Sequence, residues 1–153
     1  MEEIAMETVH HLRALAVELH LLGTEFARLH GLHATDVRAL ICLLDAGRSG
    51  QAATPTWLGE QLHLTSASVT SLIDRMEKSG HLRRQRDDHD RRSVLINVTP
   101  EAMEMGWAFF GPAIANATTA LGKYSAPERE TIDNFLSDMQ RALGSARDEI
   151  EEQ

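Results

Sequence analysis

Between residues 66 and 98 the spacing of apolar residues changes once, and that change restricts the fold more than any other feature of the chain. In SASVTSLIDRMEKSG, Val69, Leu72, Ile73 and Met76 fall at i, i+3, i+4 and i+7, one stripe along a helix. Gly80 follows, where a helix can end in the left-handed conformation that glycine adopts freely. Beyond it, HLRRQR and SVLINV read as two short strands, the second carrying β-branched Val94, Ile96 and Val98. The stripe turns Ala67, Thr70, Ser71, Asp74 and Lys78 outward, with Ser66, Ser68 and Arg75 at the margins. A helix that feeds directly into a hairpin thus presents a small, polar outer face.

The flanking sequence is helical. From Ile4 to Leu29, apolar residues recur at helical spacing through Leu12, Leu15, Ala16, Leu19, Leu22 and Phe26. HGLHATD interrupts this helix, and Thr35 is placed to cap a second one through Val37, Leu40, Ile41 and Leu44. GRSGQAA reads as a flexible loop. Thr54-Pro55 opens a short helix with Trp57, Leu58 and Leu62 on its apolar side, proline occupying the first position where its missing N–H costs least. After the hairpin, Thr99-Pro100 begins a helix through Met103, Trp107, Phe110, Ile114, Ala117 and Leu121, which Gly111-Pro112 is expected to bend. Ser125 and Glu128 form a capping-box pattern for a last helix carrying Ile132, Phe135, Leu136, Met139 and Leu143. The order is α-α-α-α-β-β-α-α, a mainly α protein with a small β-hairpin. Its outer helices have more apolar face than the central module needs, which predicts pairing with a second copy.

Charge is unevenly distributed. The formal net charge is −8, yet residues 65–98 carry seven Lys/Arg against five Asp/Glu, and RRQRDDHDRR alone (83–92) holds five arginines and three aspartates. A basic segment on an acidic body fits a polyanion bound at one place; a solvated, arginine-rich loop is the plainer alternative. Aspartates beside the arginines can fix guanidinium direction by bidentate pairing. No run approaches the roughly 18 apolar residues of a membrane span, and the acidic start MEEIAMETVHH is unlike a secretory signal, so a cytoplasmic protein is expected. Cys42, in RALICLLDA, is expected to be a buried, inert thiol. No G-x-S-x-G, phosphate-cradling glycine loop or H-E-x-x-H occurs, so no enzyme and no cofactor are expected. Of eight histidines, His30 and His33, with Asp36 nearby, come closest to metal-ligand spacing, but solvated or hydrogen-bonded histidines are the preferred reading.

A short helix, a turn and a second helix with small polar residues at its start form the helix-turn-helix pattern, whose second helix can enter the DNA major groove. A hairpin beside it can bring an extended arginine to the minor groove. At this point LGEQLHLTSASVTSLIDRMEKSGHLRRQRDDHDRRSVLINVTPEA resembles the winged helix-turn-helix core of the MarR family of bacterial transcription regulators, above all in VTSLIDRMEKSGHLRR and in the wing from Asp90 to Thr99. The resemblance extends over essentially the whole chain. It implies a homodimer held by the outer helices (1–34 and 100–153), with residues 35–99 as the DNA-binding lobe and a pseudo-palindromic operator as the partner. By position, Arg92 would enter the minor groove and Asp90 would orient it, with Arg91 beside them where the family varies. Ser66, Ser68, Thr70, Ser71 and Arg75 would lie along the recognition helix, and Asp74 is expected to orient Arg75 or Lys78.

The same resemblance implies a small, often aromatic or phenolic effector bound between the dimer helices and the lobe. His30, His33, Arg38, Trp57, Trp107 and Phe110 are the candidate lining, and an arginine among aromatics would suit an anionic aromatic molecule. Core packing is the alternative for the aromatic residues. The reading is therefore a DNA-binding repressor released by an effector. An interaction dimer without DNA binding and a metal-responsive regulator are the alternatives.

Overall fold

The computed structural model describes residues 2–87 and 93–151. Six helices and one hairpin follow in the expected order: α1 (Glu2–His30), α2 (Ala34–Ser49), α3 (Pro55–Leu62), α4 (Ser66–Lys78), β1 (Leu82–Arg86), β2 (Val94–Val98), α5 (Pro100–Leu121) and α6 (Ala126–Glu151). They fall into two compact units, divided after Phe109.

The first unit holds the core. Val69, Leu72, Ile73 and Met76 of α4 are all buried, and α4 packs against α3 and β1, while α2 packs against α3 and β2. Val37, Leu40 and Leu43 of α2, Leu58 and Leu62 of α3, Leu82 of β1 and Ile96 and Val98 of β2 are also buried in this core. β1 and β2 pair antiparallel, Leu82 opposite Val98 and Arg86 opposite Val94. The Ile96 N–H also donates to the carbonyl of buried Ala53 at 2.8 Å, which binds the loop before α3 to the hairpin. Gly80 (φ +78°) ends α4 in a Schellman motif: its N–H bonds to the Glu77 carbonyl and that of His81 to the Met76 carbonyl. The recognition-type helix and the hairpin are thus joined by a rigid, glycine-dependent corner.

Two local expectations are corrected. Thr35 is not the cap of α2; His33 is, because the Asp36 carboxylate in the first turn accepts the His33 backbone N–H at 2.9 Å. Nor is all of GRSGQAA loop. α2 continues to Ser49, whose hydroxyl bonds back to Asp45 and Ala46 carbonyls, and Gly50 supplies the left-handed end.

The second unit comprises the later part of α5 and α6. α5 is one continuous helix across Gly111 and Pro112. Glu128 accepts both the backbone N–H and the hydroxyl of Ser125, at 2.7 and 2.6 Å, so the expected capping residues do start α6. These bonds hold the Glu128 carboxyl below its usual range. Ile114, Leu121, Phe135, Leu136 and Leu143 remain exposed.

Candidate nucleic-acid interface

α3 and α4 are capped alike. Thr54 Oγ1 accepts the Trp57 N–H at 3.2 Å, and Thr65 Oγ1 accepts that of Ser68 at 3.3 Å while donating to the Ser68 hydroxyl at 2.9 Å. Between the helices His63 sits in the left-handed region (φ 52°), letting the Leu64 N–H reach the Gly59 carbonyl at 3.0 Å. The turn is tight, and Gly59 keeps it so: a β-carbon there would stand 3.1 Å from the Val69 side chain. The caps leave the N-terminal end of α4 open, with its unpaired N–H groups and positive dipole end facing outward.

Ser66, Ser68, Thr70, Ser71 and Arg75 are all exposed on α4, the face the apolar stripe predicts. Thr70 donates to the Ser66 carbonyl at 2.9 Å, which fixes its rotamer and leaves its oxygen able to accept. Asp74 does not orient Arg75 or Lys78. It accepts from the Arg84 guanidinium of β1 at 2.5 Å, and the same guanidinium pairs with Glu77, whose other oxygen takes the Arg84 backbone N–H at 3.0 Å. Two carboxylates of α4 therefore grip one arginine of the hairpin, because Arg84 lies on the strand face turned toward that helix. Arg75 turns the other way and pairs with Asp36, an almost fully buried residue (2% exposed). Lys78, Arg83 and Arg86 form no ion pair among the described residues.

The hairpin is fixed at its base as well. The Thr99 hydroxyl donates to the Gly80 carbonyl at 2.7 Å and its N–H to that of His81 at 3.0 Å. At the far end the Asp87 N–H bonds to the Ser93 carbonyl at 3.1 Å. Asp90, Arg91 and Arg92, the wing residues expected to reach DNA, lie outside the described residues.

The grip on Arg84 has a pH signature. The Arg84 backbone N–H, then its guanidinium, hold the Glu77 carboxyl below its ordinary value of 4.5. A depressed carboxyl stabilises the folded state fully above that value and loses the contribution as pH falls through the folded pKa. In denaturant titrations between about pH 6 and pH 2, Glu77→Gln is expected to show a shallower acid loss than the unsubstituted protein. Identical acid limbs would mean that the grip contributes nothing. The effect is small, because the pair is exposed.

The effector candidates of the first unit line neither of two depressions on its surface. His30 packs its ring 4.6 Å from Phe26, which itself lies 5.2 Å from Phe109. His33 and Arg38 are exposed, Trp57 is half-buried, Trp107 is 63% exposed and Phe110 belongs to the second unit. Two surface depressions, of about 390 and 440 Å³, are lined by other residues: Gly59, His63 and Thr70 in the first, Leu43, Arg83 and Met103 in the second. Among the described residues no group of three His, Cys, Asp or Glu could hold a metal. Cys42 is half-buried rather than buried, and burial pushes its thiol pKa up, away from the reactive thiolate.

Sequence reading missed the Asp36–Arg75 and Arg84 pairs. The first left a signal: Asp36 shares a helix face with Leu40 and Leu43, so its carboxylate needs a cation from elsewhere in the fold.

Together these elements define a winged helix-turn-helix lobe. Residues 30–93 match the sequence profile of the MarR family. YcgE, an HTH-type transcriptional regulator of Bacillus subtilis (strain 168), is 30% identical over 151 residues, 99% of this chain and 91% of that one. A MarR family protein from Bacillus stearothermophilus superposes with a TM-score of 0.64 at 23% identity, over 94% of this chain and 98% of that one. S. aureus MepR in complex with DNA gives a TM-score of 0.57 at 18% identity, over 88% and 98% of the two chains. The same protein bound to ethidium bromide gives 0.58 at 18% identity, over 88% and 95%. The chain belongs to the MarR family of transcriptional regulators. Among the described residues no helix is long and apolar enough to cross a membrane.

Proposed function

We propose that this protein is a homodimeric repressor whose two lobes bind a pseudo-palindromic operator and are released by a small effector. The observation that carries the reading is the outer face of α4: a row of small hydroxyl residues at an open helix N-terminus, braced from beneath by a fully buried stripe. Short side chains let a helix approach base edges closely, and the helix end favours phosphate. Ser66, Ser68, Thr70 and Ser71 are the proposed groove residues on α4. In the wing, Arg92 is proposed to enter the minor groove, aimed by Asp90, with Arg91 alongside.

Dimerisation is proposed for residues 1–34 and 100–153, leaving 35–99 as the DNA lobe. The support is the number of apolar side chains left open to solvent on the outer helices, among them Leu15, Leu19, Leu22 and Leu29 on α1 and Phe135, Leu136 and Leu143 on α6. Apolar surface repeated at helical spacing is what a second copy covers. The same reading makes the protein cytoplasmic, since operator DNA is there.

An effector is proposed to be a small aromatic or anionic molecule, as MepR binds an aromatic one. His30, His33, Arg38, Trp57 and Trp107 stay its candidate contacts. It can act only through unequal affinity for the DNA-competent and incompetent arrangements.

Arg92→Ala tests the wing. Operator affinity is expected to fall by roughly 1–3 kcal/mol, as for other single groove-reading side chains. Binding as tight as that of the unsubstituted protein would remove Arg92 from the interface.

A further inference from the structure

The pairing of Arg75 separates it from its neighbours on α4. Its guanidinium engages one oxygen of Asp36, and the other oxygen of the same carboxylate accepts the His33 N–H at 2.9 Å. Asp36 is more than nine-tenths buried, in the first turn of α2. One carboxylate thus ties three things together: the junction between α1 and α2, the start of α2, and the last turn of α4. A buried carboxylate has lost its hydration and depends on its partner cation. Drawing Arg75 away to a phosphate would strand that charge, so DNA would have to offer more than the Asp36 pair already does.

We infer that Arg75 is a positioning residue, which sets α4 through Asp36, and not one of the residues that contacts DNA. This rests on the DNA-binding reading above. It makes Asp36, a side chain sealed from the surface, as important for operator binding as the exposed arginine. It also gives the α1–α2 junction a direct mechanical connection to the recognition helix, through atoms already in contact.

Salt dependence separates the two roles. Each phosphate contact contributes about 0.9 to the slope of log affinity against log salt. Asp36→Asn and Arg75→Gln are expected to weaken operator binding about tenfold each. The double variant should be no weaker than either single one, and all three should keep the unsubstituted slope and the unsubstituted affinity for random-sequence DNA. A loss confined to specific binding is not what a merely destabilised protein shows: that would lower the active fraction in a stoichiometric titration and leave the affinity of the folded molecules unchanged. Should either single variant fail to fold, the double variant still decides, because Asn and Gln can hydrogen-bond without burying a charge. A slope reduced by about 0.9 per lobe, with random-sequence binding also weakened and Asp36→Asn binding normally, would overturn the inference. Absence of any operator binding by the unsubstituted protein would instead overturn the DNA-binding reading on which it rests.

Discussion

Raising salt from about 50 to about 200 mM is expected to weaken operator binding at least a thousandfold, if the dimer makes some six to ten phosphate contacts. The estimate follows from which cations are already engaged. Arg75 and Arg84 are held by carboxylates of the protein, so they are not counted among these contacts. Lys78 and Arg86 are exposed and form no ion pair among the described residues, and each lobe adds the N–H groups at the start of α4 and the proposed wing arginine. Three to five phosphates per lobe is therefore a reasonable number. The overall charge of −8 sharpens the effect, since the acidic body offers little attraction elsewhere. Fluorescence anisotropy across a salt series reads the slope. A flat series would mean that binding, if any, does not use the backbone.

Ile73→Ala is expected to cost about 2–5 kcal/mol of folding stability, as large-to-small changes in a packed core do. Ile73 is 1% exposed and sits between Leu72 and Met76 on the stripe that seats α4 against α3 and β1 of the hairpin. Because those contacts hold the outer face of α4 in place, operator binding should fall with stability. In urea titrations the midpoint should drop with little change in slope. A loss under about 1 kcal/mol would mean that α4 is held mainly by its polar ties to Asp36 and Arg84, and not by the stripe.

Much of the architecture was legible because period and punctuation agree. The stripe from Val69 to Met76, the left-handed Gly80 and the β-branched second strand each point to the same corner, and the structure forms it. The outward set Ser66, Ser68, Thr70 and Ser71 follows from the same periodicity. Misreadings arose where a side-chain partner without a periodic signature intervened, close by in one case and far along the chain in the others. Thr35 looks like a helix cap in isolation, but Asp36 captures the His33 N–H and moves the helix start. Asp74 looked available to Arg75, a near neighbour on the same helix, yet pairing across ten residues to Arg84 satisfies it better. Arg75 in turn reaches back 39 residues to Asp36. Long-range ion pairs have no periodic signature, so only the oddity of a carboxylate on the Leu40–Leu43 face hinted at this one. The effector candidates were a different matter. Aromatics at helical spacing do not reveal which cavity they line, and Trp57 and Trp107 line neither depression of the lobe.

The central claim is that two copies of this lobe read DNA sequence. Its most direct test is enrichment of genomic fragments by the purified protein, followed by anisotropy titration of the best fragment. The account predicts a pseudo-palindrome, bound by two protomers with its half-sites about one helical turn apart, and tightly enough to exceed random DNA by at least about a thousandfold. A folded dimer that enriches no sequence, or binds all fragments alike, would contradict it.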